Sequence, residues 1–147
     1  MRSSYLEQNS GAGGFLNPAE QIQADRTLTA VADSGKEFYL DSAAGAVAIT
    51  LPTSLEPGTN YKFVVQEHTP TAAITIAAGS AIMWGQILEG EVDTSDDADG
   101  SNVNGTGISN LIIGTGAVKG DYVELCCDGS GWYFKGVAAL DGTWTNS

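Results

Sequence analysis

The sequence predicts an all-β domain: an antiparallel β-sandwich or β-barrel of jelly-roll or tulip-like form, preceded by an extended N-terminal arm. Three observations predict it. Apolar residues recur every second position in short runs, the signature of strands with one buried face. Turn formers separate those runs at close spacing, as in sandwiches and barrels. No segment after Arg26 carries a 3.6-residue apolar stripe, so a parallel βαβ sheet is not expected.

Each run supports the assignment. Residues 1–25 come first and differ from the rest. Their Gly, Ser, Asn and Gln are interrupted by isolated apolar residues, Tyr5, Leu6, Phe15, Leu16 and Ile22, with no sustained period. Two readings stay open for this segment: a floppy terminus, or an arm that orders on a neighbour, with Phe15 and Leu16 as anchors. Residues 26–147 form the β domain. "RTLTAVA" opens it, and "DSGKEFYLDS" sets Phe38 and Leu40 opposite Glu37 and Asp41. "GAVAITLP" places Val47, Ile49 and Leu51 on one face before Pro52 ends the run. After the turn "EPGTN", Tyr61, Phe63 and Val65 alternate with Lys62, Val64 and Gln66. "AAITIAAG" and "AIMWGQILEG" follow. "GEVDTSDDADGSNVNGTGISN" is acidic, full of turn formers and expected to be a loop. "LIIGTG" and a last hairpin complete the domain.

The pattern of that hairpin, "GDYVELCCDGSGWYFKGVAAL", implies its register. A four-residue loop at Asp128–Gly131 sets Cys127 opposite Trp132, Leu125 opposite Phe134 and Val123 opposite Gly136. The other face then pairs Cys126 with Tyr133, and Glu124 with Lys135. One register yields both an apolar face and an oppositely charged pair. Gly136 is expected to leave room for a neighbouring aromatic, and the two aromatics at the tip are read as core.

Composition bounds the function. The 147 residues suit one domain large enough to fold without a disulfide or a metal. Eighteen acidic residues face six basic ones, for a net charge of −12, and no Lys or Arg lies between Lys62 and Lys119. A nucleic-acid partner needs a basic footprint, and an anionic membrane repels such a chain; neither is expected. No apolar run approaches the ~18 residues that span a bilayer. The N-terminus has no apolar core of a secretory signal, so synthesis and residence in a cytoplasm, or in an assembly formed there, are expected.

Little in the sequence supports chemistry. Cys126 and Cys127 are strand neighbours, so one thiol is expected buried and the other partly exposed. Their acidic flanks, Glu124 and Asp128, raise a thiol pKa, and a structural role is expected. His68, the one histidine, sits in a polar segment before Pro70 and reads as a solvated loop residue. One His with two strand-paired Cys is not a zinc set. Glu89, Glu91, Asp93, Asp96, Asp97 and Asp99 form an acidic run. "SDDADGSNVNGT" partly echoes a calcium loop, but Ser95 and Thr106 stand where the first and closing carboxylates belong. The run reads as a solvated outer surface. The glycine-rich "GAGG" and "GTGAVKG" lack phosphate-binding spacing. No cofactor, metal set or catalytic pair is expected.

"ADSGKEFYLDSAAGAVAITLP" followed by "YKFVV", and "GDYVELCCDGSGWYFKGV", resemble small structural proteins of tailed bacteriophages, especially head decoration (cement) proteins of marine phages. Similar strand and turn patterns occur in phage tail-fibre modules. The resemblance covers most of residues 30–137. It implies a compact β domain, often trimeric, on the outer capsid surface of the virion. Such a domain binds the major capsid protein and has no active site. Tyr5, Leu6, Phe15, Leu16 and Asn17 of the arm are then the partner-binding candidates. The alternatives are a tail-fibre or receptor-binding module for a host glycan, with Trp84, Trp132 or Trp144 as stacking residues, and a hydrolase using two carboxylates of residues 89–99.

Overall fold

The computed structural model describes residues 19–67, 69–90, 102–140 and 142–147. In chain order its elements are β1 (Ala19–Ile22), β2 (Arg26–Thr27), a one-turn helix α1 (Ala30–Asp33), β3 (Glu37–Leu40), β4 (Val47–Thr50), β5 (Asn60–Val65), β6 (Ile74–Ala77), β7 (Met83–Glu89), β8 (Asn102–Ile108), β9 (Asn110–Ile113), β10 (Tyr122–Cys127), β11 (Trp132–Ala138) and β12 (Trp144–Asn146). They form two packed sheets, the expected all-β sandwich. The large sheet has the order β1-β3-β5-β10-β11-β7-β8, and the small one β12-β9-β6-β4-β2.

The pairing is mixed rather than purely antiparallel. β1 runs parallel to β3 and β3 to β5, while β2 runs parallel to β4 and β4 to β6. The chain alternates between sheets, so each parallel pair is joined through a strand of the opposite sheet. A parallel connection needs a long crossover; here a strand supplies it where other folds use a helix. β11 and β7 are parallel as well.

Three further elements differ from expectation. β1 lies inside the segment read as an arm, because Ile22, 3 % exposed, fills a core position beside Leu40. β8 forms in the Gly- and Asn-rich stretch expected to be loop, where β7 supplies a partner. β12, after the last hairpin, is held by β9 and buries Trp144.

Alternation decides which residues face inward. The large sheet contributes Phe38, Tyr61, Phe63, Val123, Leu125, Trp132 and Phe134, and the small sheet Val47, Ile49, Ile74, Ile76, Leu111 and Ile113. Rings therefore pack on branched aliphatics. Burying each such side chain stabilises by about 1.5–3 kcal/mol. Phe38 stacks on Phe63 at 5.6 Å and Tyr61 tilts against Trp132 at 5.6 Å. The Tyr61 hydroxyl donates to Thr29 O at 3.1 Å. Burial, then the negative charges of Asp33 and Cys127, push its pKa up to about 12.

The hairpin adopts the register expected for it. Cys127 faces Trp132, Leu125 faces Phe134, Cys126 faces Tyr133, and Glu124 faces Lys135, with Lys135 Nζ 3.3 Å from Glu124 Oε2. Gly136 departs from its expectation. A Cβ there would lie 2.3 Å from Tyr122 O and 2.7 Å from Ile87 Cδ1. Backbone and an aliphatic side chain take the space, not an aromatic ring.

Candidate functional site: the outer face of the large sheet

The strand registers lay out the solvent face of the large sheet in three rows. One row joins Trp84, Tyr133, Cys126 and Asn60 across β7, β11, β10 and β5. The next joins Gln86, Lys135, Glu124, Lys62 and Glu37, ending on β3. The third joins Leu88, Val137, Tyr122, Val64 and Tyr39.

The middle row alternates in sign from Lys135 to Glu37. Lys62 Nζ lies 3.4 Å from Glu37 Oε2 and 5.4 Å above the Tyr122 ring. These are exposed or half-exposed pairs, worth about 0–1 kcal/mol each. Their effect is to keep polar groups oriented along the sheet. The third row is apolar over five strands, with Leu88 54 % and Val137 41 % exposed.

Between the first two rows lies a groove of about 480 Å³, walled by Asn60, Lys62, Glu124, Cys126, Tyr133 and Lys135, with Gly35 to Glu37 at its far end. Tyr133 is 48 % exposed and stacks on Trp84 at 5.6 Å and 28°. Trp84 can lie there because Gly131 has no side chain: a Cβ would sit 2.4 Å from its ring. Asp128 holds the adjacent loop. Its carboxylate accepts from Ser130 N at 2.7 Å, the Ser130 hydroxyl at 2.8 Å and Gly131 N at 3.0 Å. Those bonds, the Ser130 N–H foremost, hold its pKa down at about 2. The Asp128 charge in turn raises the pKa of Tyr133.

The expected split of the thiols holds: Cys127 is buried and Cys126 exposed, and both are free. Burial chiefly raises the Cys127 pKa, against the Gly129 N–H that donates to its Sγ at 3.3 Å. Trp132 and Trp144 are buried in the core and offer no ring to a ligand; Trp84 is half-buried. The tip aromatics thus divide: Trp132 is core, but Tyr133 stands on the surface. Alternation in the sequence places Tyr133 on the outer face, yet gives no sign that β7 brings Trp84 beside it.

Glu89 closes β7 and points inward, 5 % exposed, and neither of its carboxylate oxygens has a hydrogen-bond partner among the described residues. The remaining candidates, Tyr5, Leu6, Phe15, Leu16, Asn17, His68, Glu91, Asp93, Asp96, Asp97 and Asp99, lie outside the described residues. No group of three or more His, Cys, Asp or Glu that could hold a metal occurs among the described residues.

No protein-family model matches the chain, and the comparison with curated proteins finds none similar to it.

Proposed function

We propose that this chain is a virion structural protein. It decorates and stabilises a bacteriophage capsid by binding the outer surface of major capsid protein subunits, as a homotrimer. The observation that carries this reading is the apolar row Leu88–Val137–Tyr122–Val64–Tyr39 on a sheet face that the sandwich does not use for its own core. An apolar strip of this kind, exposed at Leu88 and Val137 and half-buried at Tyr122, Val64 and Tyr39, suits a protein interface. The sequence resemblance to cement proteins points the same way, and residues 1–18 precede an edge strand, where an arm can reach a neighbour.

The test is the copy number of the chain in purified virions, measured by quantitative mass spectrometry against the major capsid protein. A ratio of the same order is expected. In reconstitution, Leu88→Lys with Val137→Lys is expected to reduce capsid occupancy at least tenfold while the domain stays folded. A copy number far below that of the shell protein overturns the decoration role. It favours the second reading, a tail-fibre or receptor-binding module for a host glycan, which the exposed Tyr133 beside a polar groove supports.

A further inference from the structure

We propose that the groove beside Tyr133 is a saccharide subsite selective for sugars bearing a carboxylate. The inference concerns this site alone and holds wherever the chain sits in a particle.

Shape comes first. The groove's volume falls within the roughly 300–1,000 Å³ of small-molecule sites, and most of its walls belong to paired strands, with Gly35 and Lys36 of the turn before β3 closing one end. Tyr133 supplies one flat wall. Trp84 stacks on one face of its ring, and Cys126 and Asn60 follow Tyr133 in the same cross-strand row along the groove. An aromatic face already fixed by stacking loses little conformational freedom on binding. Such a face suits the apolar C–H face of a pyranose ring. Tyr61, Leu125 and Phe134 also line the groove, but all three are buried in the core.

Charge then narrows the ligand. Lys36, Lys62 and Lys135 line this groove; the Lys36 ammonium is held by Glu20 and Asp33, which leaves Lys62 and Lys135 to meet a ligand. Lys62 and Lys135 are each paired with one glutamate, and an ammonium group has three donors. Donors therefore remain for a ligand carboxylate, while Glu124 and Glu37 accept from sugar hydroxyls. The acidic remainder of the molecule repels anions only weakly here. Exposed charges are screened beyond about 8 Å at physiological salt.

The experiment uses the full chain and three probes: a tetragalacturonate, an uncharged galactose tetrasaccharide of equal length, and tetraglutamate. Binding is read by calorimetry and by the emission of Trp84, the one half-exposed tryptophan among the described residues. Saturable binding of tetragalacturonate is expected, with weaker binding of the neutral sugar. Tyr133→Ala is expected to lower affinity about fivefold to tenfold, the worth of one aromatic contact, with Tyr133→Phe close to wild type. Lys62→Gln with Lys135→Gln should remove the preference for the acidic sugar and leave neutral binding in place. No saturable response to either sugar overturns the proposal, as does binding unchanged in Tyr133→Ala. Tetraglutamate binding as tightly as tetragalacturonate would show a general anion site, and equal affinity for both sugars would remove the carboxylate selectivity.

Discussion

Asp128 shows how much one exposed side chain organises. It caps the hairpin loop through three hydrogen bonds, and its folded pKa lies near 2, below the unfolded value near 4. A depressed carboxylate pKa stabilises the fold above the unfolded value and loses that contribution as pH falls through the folded one. Asp128→Asn should therefore unfold at lower urea than wild type at pH 7, with the gap closing between about pH 4 and pH 2. A gap that persists at pH 2 would assign the effect to shape rather than charge. Asp33 is a buried counterpart. Burial raises its pKa, but the Thr29 N–H, Lys36 and Arg26 outweigh it and leave the pKa lowered. Arg26 Nη2 lies 2.8 Å away and Lys36 Nζ 3.3 Å, and Arg26 also bonds Glu20. Asp33→Asn should cost about 2 kcal/mol in chemical denaturation, below the roughly 3–5 kcal/mol of a fully buried pair because both cations keep some water contact. Glu89 argues the opposite way. A buried carboxylate without a partner among the described residues is a liability, so Glu89→Met should raise stability by about 1–3 kcal/mol. Lower stability in that variant would mean the carboxylate has a stabilising partner outside the described residues.

At the scale of elements, the hairpin was legible in the sequence because its information is local. A four-residue loop and two alternating runs fix the register, and one charged pair checks it. The parallel pairs were not legible. Val47 meets Ile74 and Glu37 meets Lys62 through a strand of the other sheet, and alternation names a face but not a neighbour. The Trp84–Tyr133 contact escaped for the same reason: it needs β11 to lie parallel to β7. β1 escaped because Ile22 is the one buried position of that strand, too little for a period. β8 escaped because its composition is that of a loop and its pairing with β7 overrides propensity. Glycines mark where such elements close up. At Gly136 a methyl group would strike the carbonyl of Tyr122 in the neighbouring strand. Gly136→Ala should destabilise by about 2–3 kcal/mol, read as a lower urea midpoint. A midpoint equal to wild type would mean that β10 and β11 separate without cost.

For the molecule as a whole, β1 ties the first described residues to the sandwich. Ile22 lies in the core, and Glu20 bonds both Arg26 and Lys36. A chain lacking residues 1–18 should keep its melting temperature within a few degrees. Removing residues 1–24 should lower it by about 4–8 °C or more, since each kcal/mol shifts a domain of this size by roughly 2–8 °C. Equal melting of the two truncations would show that β1 contributes nothing to the fold.

The sheet order also has a consequence in time. The large sheet reads β1-β3-β5, then β10-β11, then β7-β8. As the chain is synthesised, β1 to β6 can wind coil upon coil, each strand finding its neighbour already made. β5 and β7 cannot be joined, because the hairpin that lies between them leaves the ribosome late. Until then the inner edges of β5 and β7 lack the strands that cover them in the finished sheet, and uncovered edges are where chains aggregate. The hairpin is therefore the keystone of the large sheet: last of its strands in the chain, and placed between two flanks made earlier in the sequence. A nascent chain halted before Gly120 lacks it, and its two flanks have no strand to join them.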